Sequence, residues 1–524
     1  MGTFLWNHAP ALLVAFPLFF AFSLPLVGKA PVLRRLWVLL GMALTTALGL
    51  ALAYRVFTTG AVVYTFGALD PSLSVPGDTG GFPIRILFAV DAMSALMTVI
   101  ISVVAFAITI YSLAAESKHS GLEGFYSLLF LLVVGVLGMV NTGDLFNFFV
   151  FLEVSSLAGA ALAAFRVDKG VAVEAGFKYA LVSTLGALSV LVAVGILYSQ
   201  YNALNIAELA RRIQYTNLDK IALVLLAVPL AMKCGSVPMH FWTPDAYSAA
   251  PSSVTAFLVA TSQASLYALF RVCFTLFGDP QAMDYSSFGW FIITLGLLSM
   301  FVGVTMAIPQ KDVKRLMAYH AVSQTGYMLL GVGVGLAVLG QASALEQFGT
   351  GAMQGGIFHI INHAMYKGLL FLTAGAVFFQ LGTKNLNRMG GLGHTMPVTM
   401  VCFMIGALAI AGIPPFNGFA SKLLIYETVF RFNPFVAVVA MLVSILTLAS
   451  FVKVFHSVFM GPRLPEHGEV REVPAAMRGG MIVLALVVVA FGFVPTAVID
   501  TMVGPAADAL LDRSGYITTV LGGN

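Results

Sequence analysis

The chain has 524 residues, of which 59% are hydrophobic and only 10% are charged, and its mean hydropathy is +0.94. A composition this apolar excludes a soluble globular protein and indicates an integral membrane protein. The formal net charge of +4 is small for this length and does not favour nucleic-acid binding. Cys234, Cys273 and Cys402 are isolated in the sequence, which argues against disulfide frameworks and iron–sulfur ligation. We therefore predict no metal and no redox cofactor in this chain.

Apolar segments recur along the whole chain, as expected for an all-α integral membrane protein. A transmembrane helix needs about 20 apolar residues, and about fourteen segments meet this criterion. The first segment lacks a basic region before it and a cleavage site after it, so we interpret it as a retained helix. The predicted spans are residues 9–27, 36–58, 88–114, 123–141, 144–166, 174–199, 219–248, 251–276, 286–307, 315–337, 352–378, 397–430, 433–457 and 478–497.

The charges of the loops predict the orientation of the chain. Basic residues concentrate in alternate loops, and by the positive-inside rule these loops face the cytoplasm. Both termini are then predicted on the non-cytoplasmic side of the cell membrane, in agreement with an even number of spans. The basic loops hold Lys29, Arg34, Arg35, Lys118, Arg166, Lys169, Lys311, Lys314, Arg315, Lys384, Arg388, Arg463, Arg471 and Arg478, and the acids opposite include Asp70, Asp78, Asp279, Asp284, Asp500 and Asp508.

Charged residues also occur inside the predicted spans, where they are costly and usually functional. Glu153 in GDLFNFFVFLE lies about 14 Å along the helix from Asp144, near the middle of a hydrocarbon core about 30 Å thick. A buried carboxylate is protonated or paired, and Lys233 is its candidate partner; a static ion pair that only joins two helices is the alternative. For Asp91 we favour a structural or gating role, and for Lys178 membership of an ion path stays open.

An interrupted helix is predicted in the stretch LAVPLAMKCGSVPMHFWTPDAYSAAP. Lys233 lies within its apolar run, which Gly235 and Pro238 then interrupt. Proline lacks an N–H and clashes with the carbonyl four residues back, so backbone polar groups are freed there. Such groups persist at membrane depth only inside protein or beside a wet cavity. This stretch therefore indicates an ion pathway, and His240 either bonds the freed carbonyls or carries protons.

A row of ionisable residues follows in FHIINHAMYKGLLFL. His359, His363 and Lys367 are spaced by four residues, which places them on one face of a helix. Histidine donates and accepts protons near neutral pH, so the row is typical of a proton relay. Metal ligation by the two histidines and a structural role, with each imidazole bonded to a neighbouring helix, are the alternatives. His320, on the preceding span, is a further candidate.

A second interrupted helix is predicted in ALAIAGIPPFNGFASKLLIYE. Pro414 and Pro415 break it, and Lys422 follows within two turns, as a terminal station of the path or as a lysine that reaches the membrane interface. Broken spans in corresponding places of two halves predict two repeats with a site at each break, and an odd number of spans per repeat makes the second inverted. The predicted units are N-terminal helices at 1–115, a first five-helix repeat at 123–276, a second at 286–457, and a C-terminal helix and tail at 458–524.

Five of these stretches resemble the antiporter-like subunits shared by respiratory complex I, the multisubunit Mrp sodium/proton antiporters and the membrane-bound energy-converting hydrogenases. They occur in the family's order over residues 90–460, and the first and third are most similar to the D-type Mrp subunit and the related hydrogenase or sulfur-reductase subunit. The stretches are GDLFNFFVFLE, MKCGSVPMHFWTPDAYSAAP, KDVKRLMAYHAVSQTGYMLLG, FHIINHAMYKGLLFL and GIPPFNGFASK.

The resemblance implies a fold of about fourteen helices with two inverted five-helix repeats and proton translocation along a central polar axis. Two positions depart from the family pattern, because Gln263 and Gln324 stand where many relatives carry lysine and histidine. Glutamine does not titrate, so a proton passing these points needs water, or the local path serves hydration or another ion. The residues that the resemblance assigns to the axis are Glu153, Lys233, Lys178, His359, His363, Lys367 and Lys422.

Our leading hypothesis is a subunit that translocates protons, with exchange for sodium left open and with Glu153 setting the charge state of Lys233. No nucleotide, flavin or iron motif is present, so the driving force is expected from partner membrane subunits. One alternative is a stand-alone secondary transporter of a small solute, which would use the same broken helices. The other is a non-conducting structural subunit, in which Gln263 and Gln324 mark a degenerate path.

Overall fold

The computed structural model describes residues 6–67, 86–462, 464 and 469–522. Asp70, Asp78 and Arg463, which contribute to the loop charges, lie outside these residues. Within the described ranges the chain is almost wholly helical, and the only sheet there consists of two antiparallel strands, β1 (Val62–Thr65) and β2 (Leu87–Val90). The predicted all-α membrane class is therefore confirmed.

The helices follow the predicted spans closely in the first two thirds of the chain, and shorter helices are added between and after the spans. In chain order the main helices are α1 (Ala9–Val27), α2 (Pro31–Thr59), α3 (Ala92–Ala115), α4 (Leu122–Asn141), α5 (Leu145–Ala163), α6 (Gly170–Tyr201), α7 (Ile206–Arg212), α8 (Asn217–Lys233), α9 (Trp242–Ala249), α10 (Ser252–Phe270), α11 (Tyr285–Ala307), α12 (Val313–Ala337), α13 (Thr350–Leu381), α14 (Pro397–Ala411), α15 (Asn417–Phe432), α16 (Pro434–Phe455), α17 (Ala475–Phe493), α18 (Gly504–Leu511) and α19 (Arg513–Leu521).

Eleven helices of the described residues are long and apolar enough to cross a membrane. The other three predicted spans are α12 and the two interrupted helices. α12 lacks the apolar character of a simple span because it carries Lys314, Arg315, His320 and Gln324, and each interrupted helix is divided into pieces too short to cross alone. The chain is a multi-pass membrane protein, and the number fourteen stays a prediction.

The start of α3 differs from the predicted span at 88–114. Residues Leu87–Val90 form β2 instead of helix, and the helix begins only after Asp91. The carboxylate of Asp91 accepts a hydrogen bond from the backbone N–H of Ser94 at 3.0 Å, which satisfies one of the free N–H groups at a helix start. The apolar run that predicted one helix therefore contains a strand and a capped helix.

Three helices form the centre of the bundle. α10 packs against both α3 and α13, and α3 also contacts α13. All residues of α10 after Ser252 are buried, although several are polar, including Gln263. A helix that is buried on every side has no lipid-facing surface, so its polar residues face protein.

Two interrupted helices flank this centre. α8 ends at Lys233 and α9 begins at Trp242, while α14 ends at Ala411 and α15 begins at Asn417. Each break contains a glycine with positive φ, Gly235 (φ 80°) and Gly412 (φ 77°). This backbone conformation carries little cost for glycine alone, and it redirects the chain at both breaks.

Matching contacts recur in the two halves of the chain. Asp144 forms an isolated bridge with Asn205, and Asp312 forms the same kind of bridge with Asn385. Asp144 and Asp312 also each cap the helix that follows, α5 and α12. These matches support our proposal of two five-helix repeats, one from α4 to α10 and one from α11 to α16.

A close helix crossing is also repeated. A Cβ atom on Gly135 of α4 would lie 2.6 Å from the backbone N of Ser155, and one on Gly303 of α11 would lie 2.5 Å from that of Ser323. Both pairs are separated by the same number of residues, since 155 − 135 and 323 − 303 are both 20. Small residues allow such close approach of membrane helices.

The substitution Gly303→Ala is expected to destabilise the protein by about 1–3 kcal/mol, because the added methyl group forces α11 and α12 apart. Gly195→Ala is the matched control, since a Cβ atom on Gly195 meets no atom within 4 Å. Thermal unfolding of both variants in detergent measures the difference. Equal unfolding temperatures for the two variants would contradict the close crossing.

The C-terminal region is more structured than a single helix and a tail. After α17 the chain forms α18 and α19. α18 packs against α3 and α13, and α19 packs against α7. The aromatic ring of Tyr516 in α19 lies 5.2 Å from the guanidinium of Arg271, so the end of the chain covers a buried charge.

Candidate functional site

Lys233 is the last residue of α8 and is buried. Its ammonium donates a hydrogen bond to the hydroxyl of Ser156 in α5. Glu153 lies one turn before Ser156 on the same helix and is half-buried. No ion pair within 4.0 Å joins Glu153 to Lys233 in the described part of the chain, although their charges interact electrostatically. The structure thus places Ser156 against Lys233, with Glu153 one turn away on the same helix, and the two predicted partners are not in direct contact.

The backbone groups freed by the first break are bonded inside the protein. Ser236 donates from both its N–H and its hydroxyl to the carbonyl of Ala231, at 3.1 and 2.8 Å. The indole N–H of Trp242 donates to the carbonyl of Met232 at 3.0 Å. The N–H of Val237 donates to the hydroxyl of Ser299 in α11 at 2.9 Å. Irregular backbone at membrane depth is tolerated only with such partners. The hydrogen bonds therefore stabilise the break as part of the folded structure.

Lys178 lies away from this position, in a charged network beyond the break. Its ammonium lies 2.7 Å from Glu174 and 3.0 Å from Asp245, and its side chain is 43% exposed. Asp245 in α9 also pairs with Arg315 in α12 at 2.7 Å. Asp245 therefore links α6, α9 and α12. Lys178 belongs to this network and does not contact Lys233 or the row of His359, His363 and Lys367.

The second break holds Lys422, which is fully buried in α15. Its ammonium donates to the carbonyl of Ile410 at 2.7 Å and to the hydroxyl of Ser444 at 3.0 Å. It also lies 4.7 Å from the centre of the Tyr327 ring. The carbonyl of Ile410 is at the C-terminal end of α14, where the helix dipole favours a cation. Lys422 thus bridges the two halves of this interrupted helix.

Lys233 and Lys422 occupy different places relative to their breaks. Lys233 lies two residues before Gly235, whereas Lys422 lies ten residues after Gly412. The residue ten positions after Gly235 is Asp245. The first site therefore has a lysine before the break and an acid after it, and the second has a lysine after the break only.

His359 connects Lys422 to α12 through side chains. Its Nδ1 lies 2.9 Å from the hydroxyl of Ser421, the neighbour of Lys422 in the chain. Its Nε2 lies 3.1 Å from Oε1 of Gln324 and 3.2 Å from the hydroxyl of Tyr366, which also donates to Gln324 at 3.2 Å. Hydrogen-bonded side chains of this kind can pass or orient a proton, and Gln324 acts here as an acceptor.

His363 and Lys367 follow His359 at successive turns of α13 and are fully buried. Neither ring nitrogen of His363 and not the ammonium of Lys367 has a hydrogen-bond partner among the described residues. The Lys367 ammonium lies 5.7 Å and 5.6 Å from the ring centres of Phe371 and Phe451. His320 in α12 bonds Ser450 at 2.8 Å through one nitrogen only. Buried polar atoms normally have hydrogen-bond partners. This part of the bundle is therefore unusual in holding several buried polar atoms without one among the described residues.

A second polar row runs along α10 from Gln263 to its π-helical extension at Arg271–Leu276. Oε1 of Gln263 is buried without a partner in the described chain. One turn further, the hydroxyl of Tyr267 lies 2.9 Å from that of Ser94. Arg271 then donates to Tyr267 at 3.0 Å and forms a buried ion pair with Asp91. A cavity of about 160 Å³ reaches Asp91 and Tyr516.

Several functional candidates were not singled out from the sequence. Arg271 and Asp245 are charges in or beside apolar spans, so that signal was present. Ser156, Tyr366 and Ser421 gave none, because neutral hydroxyls are common in membrane helices. His240 is half-buried, and its Nδ1 has no partner among the described residues.

Comparison with known proteins gives a consistent picture. The family profile described as NADH:quinone oxidoreductase/Mrp antiporter, TM matches residues 142–447. A second profile, described as NADH-Ubiquinone oxidoreductase (complex I), chain 5 N-terminus, matches residues 78–114. The matched regions contain all the candidate site residues from Asp91 to Lys422.

Individual relatives extend over nearly the whole chain. The N subunit of the NADH-quinone oxidoreductase of Desulforudis audaxviator is 31% identical over 95% of this chain and 98% of its own length. The D-type subunit of the Na(+)/H(+) antiporter of Alkalihalophilus pseudofirmus is 31% identical over 84% of this chain and 86% of its own. A chain in the solved Mrp complex of Dietzia sp. superimposes with a TM-score of 0.86 at 28% identity, covering 99% of this chain and 100% of that one.

Proposed function

Because the chain belongs to the NADH:quinone oxidoreductase/Mrp antiporter family of membrane subunits, we propose that it translocates protons as one subunit of a larger ion-pumping assembly. The similarity to a chain of the Mrp complex supports partner membrane subunits. The Mrp relatives also support a place in the cell membrane. We propose both termini on the non-cytoplasmic side, because the basic loops lie at the opposite helix ends.

The observation that carries this proposal is that three lysines of the candidate site, Lys233, Lys367 and Lys422, are buried; a fourth buried lysine, Lys314, lies apart from them at the start of α12. Each is at most 4% exposed, and none has an acidic partner within 4.0 Å in the described ranges of the chain. Leaving a charge buried without a counter-ion costs several kcal/mol. A purely structural role does not require this cost three times in one bundle. Lysines of this kind typically gain and lose protons in membrane pathways.

We propose that the proton path has two stations, each a cluster of polar side chains, and a segment between them in which water carries the proton. The first station is Glu153, Ser156 and Lys233. The second is the network from Gln324 through His359 and Ser421 to Lys422. Water is proposed between the stations, because Gln263, His363 and Lys367 carry buried polar atoms that need partners.

The remaining charged residues have supporting roles in this proposal. Asp245 holds Lys178 and Arg315 beside the first break, so a change in the charge of Lys233 acts on α9 through the break. The Asp91–Arg271 pair lies at the end of the polar row of α10, where Asp91 lines the cavity. We therefore propose a gating or structural role for Asp91, and a positioning role for Lys178.

Proton flux through the intact assembly in proteoliposomes tests the function, with Lys367→Met as the variant. Methionine keeps the bulk of the side chain but cannot titrate, so the flux is expected to fall about a hundredfold, within the range for loss of a positioned proton-transfer group. Lys311→Met removes an exposed lysine and serves as the control.

The same measurement separates the alternatives. Undiminished flux in Lys367→Met would refute the proposed path. Solute uptake by the purified chain without its partners would favour a stand-alone transporter, and turnover of the assembly without any flux dependent on this chain would favour a structural subunit.

A further inference from the structure

A basic cavity of about 320 Å³ has none of the residues of the proposed proton path in its lining. It is built from the ends of α3, α5 and α13 and the starts of α6, α10 and α12, which all lie at the side of the bundle with the basic loops. Its charged lining residues are Glu116, Lys118, Arg166, Lys169, Lys314 and Lys384.

The cavity carries a large excess of positive charge. Its one acid, Glu116, is buried and is already bonded by Arg166 at 3.3 Å and by the hydroxyl of Ser253 at 3.2 Å. The four lysines have no acidic partner within 4.0 Å among the described residues. The pKa of Lys384, in the loop after α13, is lowered mainly by burial; Asp312 opposes this shift, and repulsion from Lys169 and Arg166 adds to it.

Aromatic rings hold these cations around the opening. Arg166, Lys169 and Lys384 lie 6.0, 5.6 and 5.7 Å from the centre of the Phe378 ring. Lys118 lies 5.5 Å from the centre of the Phe379 ring. Cation–π contacts at this distance orient charged side chains. The positive charges are therefore gathered around one volume rather than spread into solvent.

The surroundings of the cavity indicate what kind of anion fits. Lys169 is the residue directly before α6, whose outer face exposes Val171, Phe177, Leu181 and Leu185. This apolar face offers contact for acyl chains directly beside the positive charges. A soluble anion would use the charges but not the apolar face. Basic pockets between membrane helices on the cytoplasmic side are typical sites for anionic lipid headgroups.

We propose that this cavity binds the phosphate headgroup of an anionic phospholipid, whose acyl chains lie along the outer face of α6. Lys118 and Lys169 contact the phosphate from the rim. Lys314 and Lys384 lie deeper and donate to the carbonyls of Ala250 and Ser248, both at 2.5 Å.

These two carbonyls belong to the end of α9, the second half of the first interrupted helix. A phosphate that draws on Lys314 and Lys384 competes with those carbonyls for hydrogen bonds. The bound lipid therefore acts on the position of α9 and of Asp245. Lipid binding here does not require any particular transported ion, because the cavity lining contains none of the residues of the proposed proton path.

The test is the lipid-binding affinity of the full assembly in phosphatidylcholine nanodiscs to which phosphatidylglycerol is added. The double variant Lys118→Gln, Lys169→Gln removes two rim charges, each worth about 1 kcal/mol near a membrane surface. The affinity for phosphatidylglycerol is then expected to fall roughly thirtyfold, at about 1.4 kcal/mol per tenfold. Lys311→Gln, at an exposed lysine outside the cavity, is the matched control and should bind as the unmodified protein does.

Both variants change exposed residues, so folding is expected to be retained and is checked by the unfolding temperature in phosphatidylcholine alone. The proposal is overturned if the double variant and Lys311→Gln lose the same affinity, or if neither loses any. It is also overturned if inorganic phosphate binds the cavity in phosphatidylcholine as tightly as phosphatidylglycerol does, because the ligand would then be a soluble anion.

Discussion

Lys233→Met is expected to abolish proton translocation by the assembled protein, with a loss of at least about a hundredfold. Lys233 ends α8 at the break, is buried, and donates to Ser156 one turn from Glu153. No other described titratable group takes its place at this position, and methionine preserves the apolar volume without a proton. Flux in proteoliposomes measures the loss, and size-exclusion chromatography is expected to show that the assembly remains intact.

Three further variants define the role of this site. Lys220→Met removes an exposed lysine near the start of the same helix and should leave the flux unchanged. Glu153→Gln should lose flux as Lys233→Met does, since it removes the charge that responds to Lys233. Ser156→Ala keeps both titratable groups and removes only the hydroxyl that accepts a hydrogen bond from Lys233, so an intermediate loss is expected. Full flux in both Lys233→Met and Glu153→Gln would exclude this station from the path.

Asp91→Ala is expected to destabilise the protein by about 3–5 kcal/mol, because it leaves Arg271 buried without its counter-ion. The pair is at most 9% exposed on either side. The hydroxyl of Tyr267 and that of Thr275, at 3.0 and 3.2 Å, still bond the guanidinium but do not neutralise it. The unfolding temperature and the yield of assembled protein measure the effect.

The double variant Asp91→Leu, Arg271→Met separates the charge from the packing. Replacing both members of a buried ion pair by apolar residues of similar volume is often close to neutral, so this variant should recover most of the lost stability. If it recovers stability and also flux, the pair is structural. If it recovers stability but not flux, the pair acts as a gate. An unchanged unfolding temperature in Asp91→Ala would contradict the buried pair itself.

The predicted helices and the observed ones agree where apolar runs are long and uninterrupted, as at α4 (Leu122–Asn141) and α11 (Tyr285–Ala307). They differ at residues 87–90, where an apolar run forms a strand before Asp91. Hydropathy reports burial and does not distinguish a buried strand from the first turn of a helix. The helices after residue 500 were missed because α18 and α19 have only 8 and 9 residues, too few for an apolar segment that crosses the membrane.

The sequence alone determined the membrane class, the two breaks and the buried ionisable residues. The membrane class follows from composition. The breaks and the ionisable sites follow from single residues such as Lys233, Pro238, Pro415 and Lys422, because a charge at membrane depth or a proline within a helix has a free-energy cost that does not depend on knowing its neighbours. The resemblance of five ordered stretches also indicated the family, which the comparisons confirm.

Only the tertiary structure decided which of these residues meet. It placed Ser156 against Lys233, placed Lys178 in a network around Asp245, and joined His359 to Gln324 and Ser421. The partners come from different helices, and their contacts depend on the rotation and depth of each helix in the bundle. Spacing along one helix defines a face, but the residues opposite that face are set by packing between helices far apart in the chain.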